Sequence, residues 1–171
     1  PNESVDILFT DPPYYDAFPY SDLSDYFFVW LKRCIGKNYF QNNPELVPKE
    51  KEIVVYDVEH GEVGIIKDNK YFSDEMTNVF EAWRIASKYN SICVVVFANK
   101  TLHGWESMIK GLVDSGWIIT GSWPIDTERE NRQRAQGSAA LASSIHLVCR
   151  PRENEDGSLI QNQIGDWRDV Q

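Results

Sequence analysis

A chain of 171 residues with 42% hydrophobic and 25% charged residues has the length and composition of one ordinary folded domain, which excludes a disordered or low-complexity segment. The formal net charge of −9 and pI near 4.8 exclude the overall basic footprint of a dedicated nucleic-acid-binding module, and leave only a local basic strip or another domain for such contacts. No apolar run approaches the ~20 residues of a membrane span and no signal peptide opens the chain, so no membrane partner is expected, while three cysteines without pairing or metal spacing suit a reducing cytoplasm.

In chain order, Val5–Thr10 is an apolar run stopped by Asp11-Pro12-Pro13, the pattern of a buried strand ended by residues that cannot continue a ladder. Ser21 to Gly36 reads as a helix, with Leu23, Tyr26, Phe27, Trp30, Leu31 and Cys34 at helical spacing, Ser21 as cap and Gly36 as left-handed stop. Residues 37–70 are an insertion that reads either as a hairpin, from Ile53–Val58 and Val63–Lys67 around His60-Gly61, or as an irregular excursion. The helical pattern returns from Ser73 to about Tyr89, and Ile92–Ala98 is a continuous β-branched run, the mark of a strand covered on both faces. Trp105 to Val113 forms a further helix closed by Gly116, followed by strands at Trp117–Trp123 and Ile145–Cys149. Beyond Pro151 the composition turns polar, so residues 1–152 read as one domain piece and 153–171 as an accessory tail. Strands alternating with helices predict a parallel α/β sheet, with the last strand reversed at its edge because no helical pattern separates the last two strands.

Three groups of residues are read more plainly. Six Trp, eight Tyr and eight Phe indicate a heavily aromatic core, with a minority of rings left to stack on a planar ligand. Cys34, Cys93 and Cys149 are an odd count without metal spacing and read as buried free thiols; His60, His103 and His146 are too widely separated for a metal site, so no metal is expected.

The chemistry concentrates at Asp11-Pro12-Pro13-Tyr14, at the carboxyl end of a strand, where open α/β sheets place their ligands. Two prolines stiffen the backbone in an extended form and remove two N–H donors, leaving a row of carbonyl acceptors beside a carboxylate. An amino group offers two donors, so the Asp11 carboxylate and the Pro12 carbonyl can each accept one and aim the nitrogen lone pair outward. Tyr14 supplies a ring on which a planar base can stack. The work of such a site is positioning and charge stabilisation, with no covalent intermediate required. An ordinary turn is the competing account of these four residues; their place after a buried strand and before an aromatic-rich segment favours the site.

The motif is that of amino-methyltransferases acting on adenine, and the longer stretch Phe9 to Ala17, followed by Tyr20 to Phe27, resembles the large adenine-specific DNA methylases. Three further pieces carry the same resemblance: Phe97-Ala98-Asn99-Lys100 with Gly104-Trp105-Glu106; Thr120 to Ile125; and Arg134 to Ser144. The resemblance implies a Rossmann-like methyltransferase fold, S-adenosylmethionine as donor and the amino nitrogen of adenine in DNA as acceptor, with the base flipped out of a duplex. Carried over, Asp11, Pro12, Pro13 and Tyr14 hold the target amine and base, with Thr10 and Asp11 on the cofactor side; Lys100, after the second core strand at the ligand-binding edge, reads as a contact to cofactor or DNA or equally as a helix-capping or solvated residue. Tyr15, Trp123 and Pro124 are assigned to the base pocket, although Trp123 reads equally well as a core or edge ring. Arg129, Arg132 and Arg134, ahead of the small-residue run Gly137–Ser144, suit phosphate contacts; a solvated loop is the alternative.

No Gly-x-Gly pattern follows a strand in these residues, so the cofactor's glycine-rich cradle and ribose-binding acid are expected on strands upstream of the motif. The chain is therefore expected to be the C-terminal part of a catalytic domain, inactive alone and partnered by the remainder of its parent polypeptide. Two other readings stay open: the same chemistry on an RNA base, cytosine or a protein glutamine, and a non-catalytic methyltransferase-like subunit.

Overall fold

The computed structural model describes residues 3–36, 39–40, 44–56, 66–125, 144–153 and 158. The elements are β1 (Val5–Thr10), α1 (Tyr20–Ile35), α2 (Asn69–Ala86), β2 (Ser87–Phe97), α3 (Leu102–Asp114), β3 (Trp117–Ile125) and β4 (Ser144–Pro151). The fold is mixed α/β around a four-stranded sheet in the order β1-β2-β4-β3. β1 and β2 are parallel, with Thr10 opposite Val95, and β4 runs antiparallel to both β2 and β3.

The reversed strand is therefore real, but it is not at the edge. β4 is inserted between β2 and β3. Composition explains the order. β4 buries Ser144, Leu147, Cys149 and Pro151, as an interior strand should. β3 is exposed over Ser122–Ile125 and carries Pro124, which has no N–H for a ladder and suits an edge.

The elements start and stop for local reasons. Asp68 caps α2 by accepting from the Tyr71 N–H at 2.8 Å, which starts this helix four residues before the Ser73 expected from the hydrophobic pattern. α2 then passes into β2 with no loop between Ala86 and Ser87. Thr101 caps α3 by accepting from the Gly104 N–H, and Gly116 turns the chain into β3 with φ of 88°. α1 ends as expected at Gly36, φ 84°. Its start differs: Pro19 holds the cap position, while the Ser21 N–H and hydroxyl both donate to Glu52.

The core lies on one face of the sheet. Cys93, Val95 and Phe97 of β2, with Leu147, Cys149 and Trp117, pack against Phe72, Met76 and Phe80 of α2 and Met108 and Leu112 of α3. The Trp117 indole N–H donates to the Phe80 carbonyl at 3.0 Å, so the largest core ring is also hydrogen-bonded. On the other face Ile7 and Phe9 are both 66% exposed, and the Phe9 ring meets His146 edge-on. Two-sided cover of β2, expected from its sequence, is thus met on the α2/α3 side by the described residues. α1 likewise leaves Leu23, Tyr26, Phe27, Trp30 and Leu31 exposed. Cys34 is exposed with them, contrary to the expectation of three buried thiols, whereas Cys93 and Cys149 are buried.

The two β-rich pieces of the insertion meet at their described ends, where the Tyr56 N–H donates to the Lys67 carbonyl at 2.9 Å. Residues 44–56 form no regular element, and they are tied down by side chains. Asp25 accepts from the Val47 N–H and from Lys49, and Lys67 donates to the carbonyls of Lys49 and Glu52. His60-Gly61 and the proposed turn between its two β-rich pieces lie outside the described residues, as does most of the tail after Glu153.

Candidate functional site

Parallel pairing of β1 with β2 brings their carboxyl ends side by side, so Asp11-Pro12-Pro13-Tyr14 leaves the sheet next to Ala98-Asn99-Lys100. Asp11 is exposed, and no donor among the described residues bonds its carboxylate. Pro12 is buried beside it and Pro13 partly so, which fixes the stiff segment at its base.

The far end of the segment is held through Tyr14. Its N–H donates to the Tyr20 hydroxyl at 3.2 Å. Its carbonyl accepts from the Ala17 N–H at 3.0 Å and from Asn99 Nδ2 at 3.3 Å. Its ring lies edge-on to Phe97, centroids 5.7 Å apart, so this ring is half-buried at the rim of the core. Burial, foremost, raises the Tyr20 phenol above its ordinary range, and it remains a neutral partner for the Tyr14 N–H.

Tyr15 occupies a different place from the one its assignment to the base pocket required. It is 7% exposed, packed edge-on against Phe72 at 5.1 Å, and its carbonyl accepts from the Val55 N–H. It is a core ring, and its backbone has φ of 57°. A left-handed conformation in a residue with a Cβ costs about 1–2 kcal/mol, and here core packing and the surrounding hydrogen bonds hold it.

Asn99 joins the two strand ends. Its carboxamide nitrogen donates to the Tyr14 carbonyl and to Asp16 Oδ1 (3.2 Å), and its oxygen accepts from the Thr101 N–H and hydroxyl, both at 2.7 Å. These partners fix which end of the amide is which: the Thr101 N–H can only donate and the Tyr14 carbonyl can only accept. The side chain lies over the first turn of α3, where a Cβ on Gly104 would stand 2.6 Å from Asn99 Cγ. The Trp105 indole N–H closes the group by donating to the Asn99 carbonyl at 3.0 Å.

A second group lies beneath the start of α1. Glu52 receives Ser21 and the Tyr56 hydroxyl, and burial followed by the Glu52 hydrogen bond pushes Tyr56 up to about 12. Lys67 is buried, capped by two carbonyls, and lies over the rings of Tyr56 and Tyr71; desolvation lowers its pKa. This ammonium is consumed in holding the excursion against α2.

Of the other residues singled out, Thr10 is partly buried at the end of β1, and Lys100 is exposed at the same sheet end, next to Asn99. Trp123 (64% exposed) and Pro124 lie on β3, with Trp123 paired to His146. Two strands, β2 and β4, separate them from β1, a span of roughly 14 Å at the usual strand spacing. Arg129, Arg132 and Arg134 lie outside the described residues, as does the small-residue run up to Ser143. Among the described residues no group of three or more His, Cys, Asp or Glu could hold a metal ion, and no helix is long and apolar enough to cross a membrane. A depression of about 400 Å³ lined by Val29, Lys32, Arg33, Gly36 and Glu45 lies at the far end of α1.

The sequence reading did not single out Asn99, Tyr20 or Glu52 as parts of the site. Asn99 had one legible signal, an amide between a buried strand and a Thr helix cap. The other two are brought in by tertiary contacts alone. Neither a scan of protein-family models nor a search of curated proteins finds a match to this chain.

Proposed function

We propose that this chain carries the acceptor side of an S-adenosylmethionine-dependent methyltransferase acting on an amino nitrogen, with adenine in DNA as the acceptor. The observation that carries the reading is the placement of Asp11-Pro12-Pro13-Tyr14: a stiff row of acceptors at the carboxyl end of one strand, beside the carboxyl end of its parallel neighbour. Three codirectional strands with a reversed final strand agree with the methyltransferase variant of the Rossmann fold. The bare edge of β1 and the uncovered apolar side of α1 agree with further elements of such a fold packing there.

In this reading S-adenosylmethionine supplies the methyl group. The Asp11 carboxylate accepts one amine N–H and the Pro12 carbonyl accepts the other, which fixes the nitrogen and directs its lone pair away from the protein. As the nitrogen becomes cationic, the neighbouring carboxylate stabilises it, a pre-oriented charge at the point where charge develops, and the surplus N–H proton then passes to water. The Tyr14 ring, edge-on to Phe97, is the wall for the base. Thr10 and Lys100 flank Asp11 on the cofactor side, while the main contacts to the methionine and ribose parts are assigned to strands of the parent polypeptide outside this chain.

The test is transfer of a radiolabelled methyl group by the intact parent protein to DNA, RNA and protein, followed by nucleoside analysis. Methyladenine in DNA is expected; label only in RNA, cytosine or protein would move the acceptor assignment, and no label anywhere would sink the reading. Asp11→Ala should lower kcat by about 10²- to 10³-fold or more with the fold intact. Full activity in that variant would remove Asp11 from its role.

A further inference from the structure

We infer that Asn99 is a positioning residue that sets the exit of the Asp11-Pro12-Pro13-Tyr14 segment, acting through the turn at Tyr14–Ala17; its consequence for turnover rests on the methyl-transfer reading. With φ fixed at Pro12 and Pro13, the segment behaves as a short rod, and a rod is aimed by its two ends. One end is β1, paired to β2 through Thr10. The other is the turn in which the Ala17 N–H donates to the Tyr14 carbonyl and Tyr15 is held at φ of 57°. A left-handed Tyr relaxes to negative φ when released, and that relaxation would swing Tyr14 and the rod with it.

Asn99 is built to prevent this. It bridges Tyr14 and Asp16, on both sides of the strained residue, with the two hydrogens of one amide. It is 6% exposed, so these hydrogen bonds are little exposed to competing water. It cannot swing away, because Thr101 holds its oxygen with two donors and the Gly104 Cα lies directly against it. The absence of a side chain at Gly104 is required by this contact: a Cβ would fall 2.6 Å from Asn99 Cγ and 2.8 Å from its oxygen. The rigid first turn of α3 is thereby coupled to the motif without touching any ligand of it.

Two variants test the inference in the intact parent protein. Asn99→Asp keeps the size and the acceptor for Thr101 but places a carboxylate oxygen against the Tyr14 carbonyl and the Asp16 carboxylate. Gly104→Ala leaves every hydrogen-bonding group in place, favours the helix, and displaces Asn99 by contact alone. Hydrogen exchange at the Ala17 amide reports the turn directly and requires no activity. Exchange should accelerate by about tenfold or more in both variants, because the opening of this local hydrogen bond becomes easier. With methyl transfer as readout, kcat should fall by about 10- to 100-fold in both, as for a reacting group displaced by up to an ångström, with KM for S-adenosylmethionine changed less than about threefold. Unchanged Ala17 exchange in both variants would overturn the inference, and so would accelerated exchange with an unchanged kcat. If the wild-type protein transfers no methyl group to any acceptor, the functional reading fails, and the exchange measurement still decides whether Asn99 holds the turn.

Discussion

The Glu52 carboxylate accepts from both the backbone N–H and the hydroxyl of Ser21, thirty-one positions earlier in the chain, and so caps a helix whose own cap position is a proline. It also accepts from the Tyr56 hydroxyl at 3.0 Å. One carboxylate thus ties the excursion to the helix that follows the motif. Glu52→Ala should destabilise the protein by about 1–3 kcal/mol, since it removes charge-assisted bonds, foremost those that satisfy the buried Ser21. Chemical denaturation monitored by circular dichroism measures this, and Glu52→Gln should recover part of the loss. Equal stability of all three proteins would remove Glu52 from the role.

Gly116 offers a cleaner backbone experiment. Its φ is 88°, and the nearest atom to a Cβ placed there, Arg84 Cγ, is 3.9 Å away. A substitution therefore meets no steric wall, and the cost is conformational alone. Gly116→Ala should destabilise by about 1–2 kcal/mol, read as a shift in the denaturation midpoint. A neutral result would show that the turn into β3 has another route.

The thiols should divide into two classes. Cys34 is exposed on α1, whereas Cys93 and Cys149 are buried and burial pushes both thiols up to about 12. At neutral pH the buried pair has almost no thiolate, the form that reacts. One thiol should therefore react promptly with a thiol reagent under native conditions and all three in denaturant. Rapid native reaction at Cys93 or Cys149 would contradict the packing of the sheet on α2 and α3.

Acid should loosen the excursion before it unfolds the core. Asp25 is held below the usual carboxylate range, chiefly by the Lys49 hydrogen bond at 2.7 Å, with the Val47 N–H assisting. A depressed folded-state pKa means that this contribution is present above the ordinary value of 3.8 and is lost as pH falls through the folded value. Both side chains are partly exposed and reached by water, so the pair's stabilising effect is small, of the order of 1 kcal/mol or less. Exchange at the Val47 amide should accelerate below about pH 4, and the acceleration should be absent in Asp25→Asn, which has no carboxylate to titrate there. An identical acid profile in that variant would assign the loosening to another group.

The legibility of this protein is uneven for physical reasons. β1 was bounded from the sequence at Val5–Thr10 because prolines stop a strand sharply. The ends of α2 were displaced, since its apolar pattern begins after its Asp68 cap and β2 begins without an intervening loop. The insertion left hairpin and irregular excursion both open, because its described part has no repeating hydrogen bonds; apart from the local Tyr56–Glu52 bond, Glu52, Lys67 and Asp25 hold it through partners 15 to 31 positions away. Tyr15 was misplaced because it neighbours a chemically suggestive Tyr14, and a positive φ cannot be read from a tyrosine.

The sequence by itself determined the alternation of strands and helices and the chemistry available at Asp11-Pro12-Pro13-Tyr14, because apolar period, proline stiffness and carboxylate charge are local properties. Only the tertiary structure decided the order of the sheet. It put β4 inside and β3 at the edge, since that choice depends on which strand faces best exclude water once all four compete for the same core. It also decided that the motif is aimed by Asn99, a residue 85 positions from Tyr14 whose two-sided hydrogen bonding exists only when parallel strands bring their ends together.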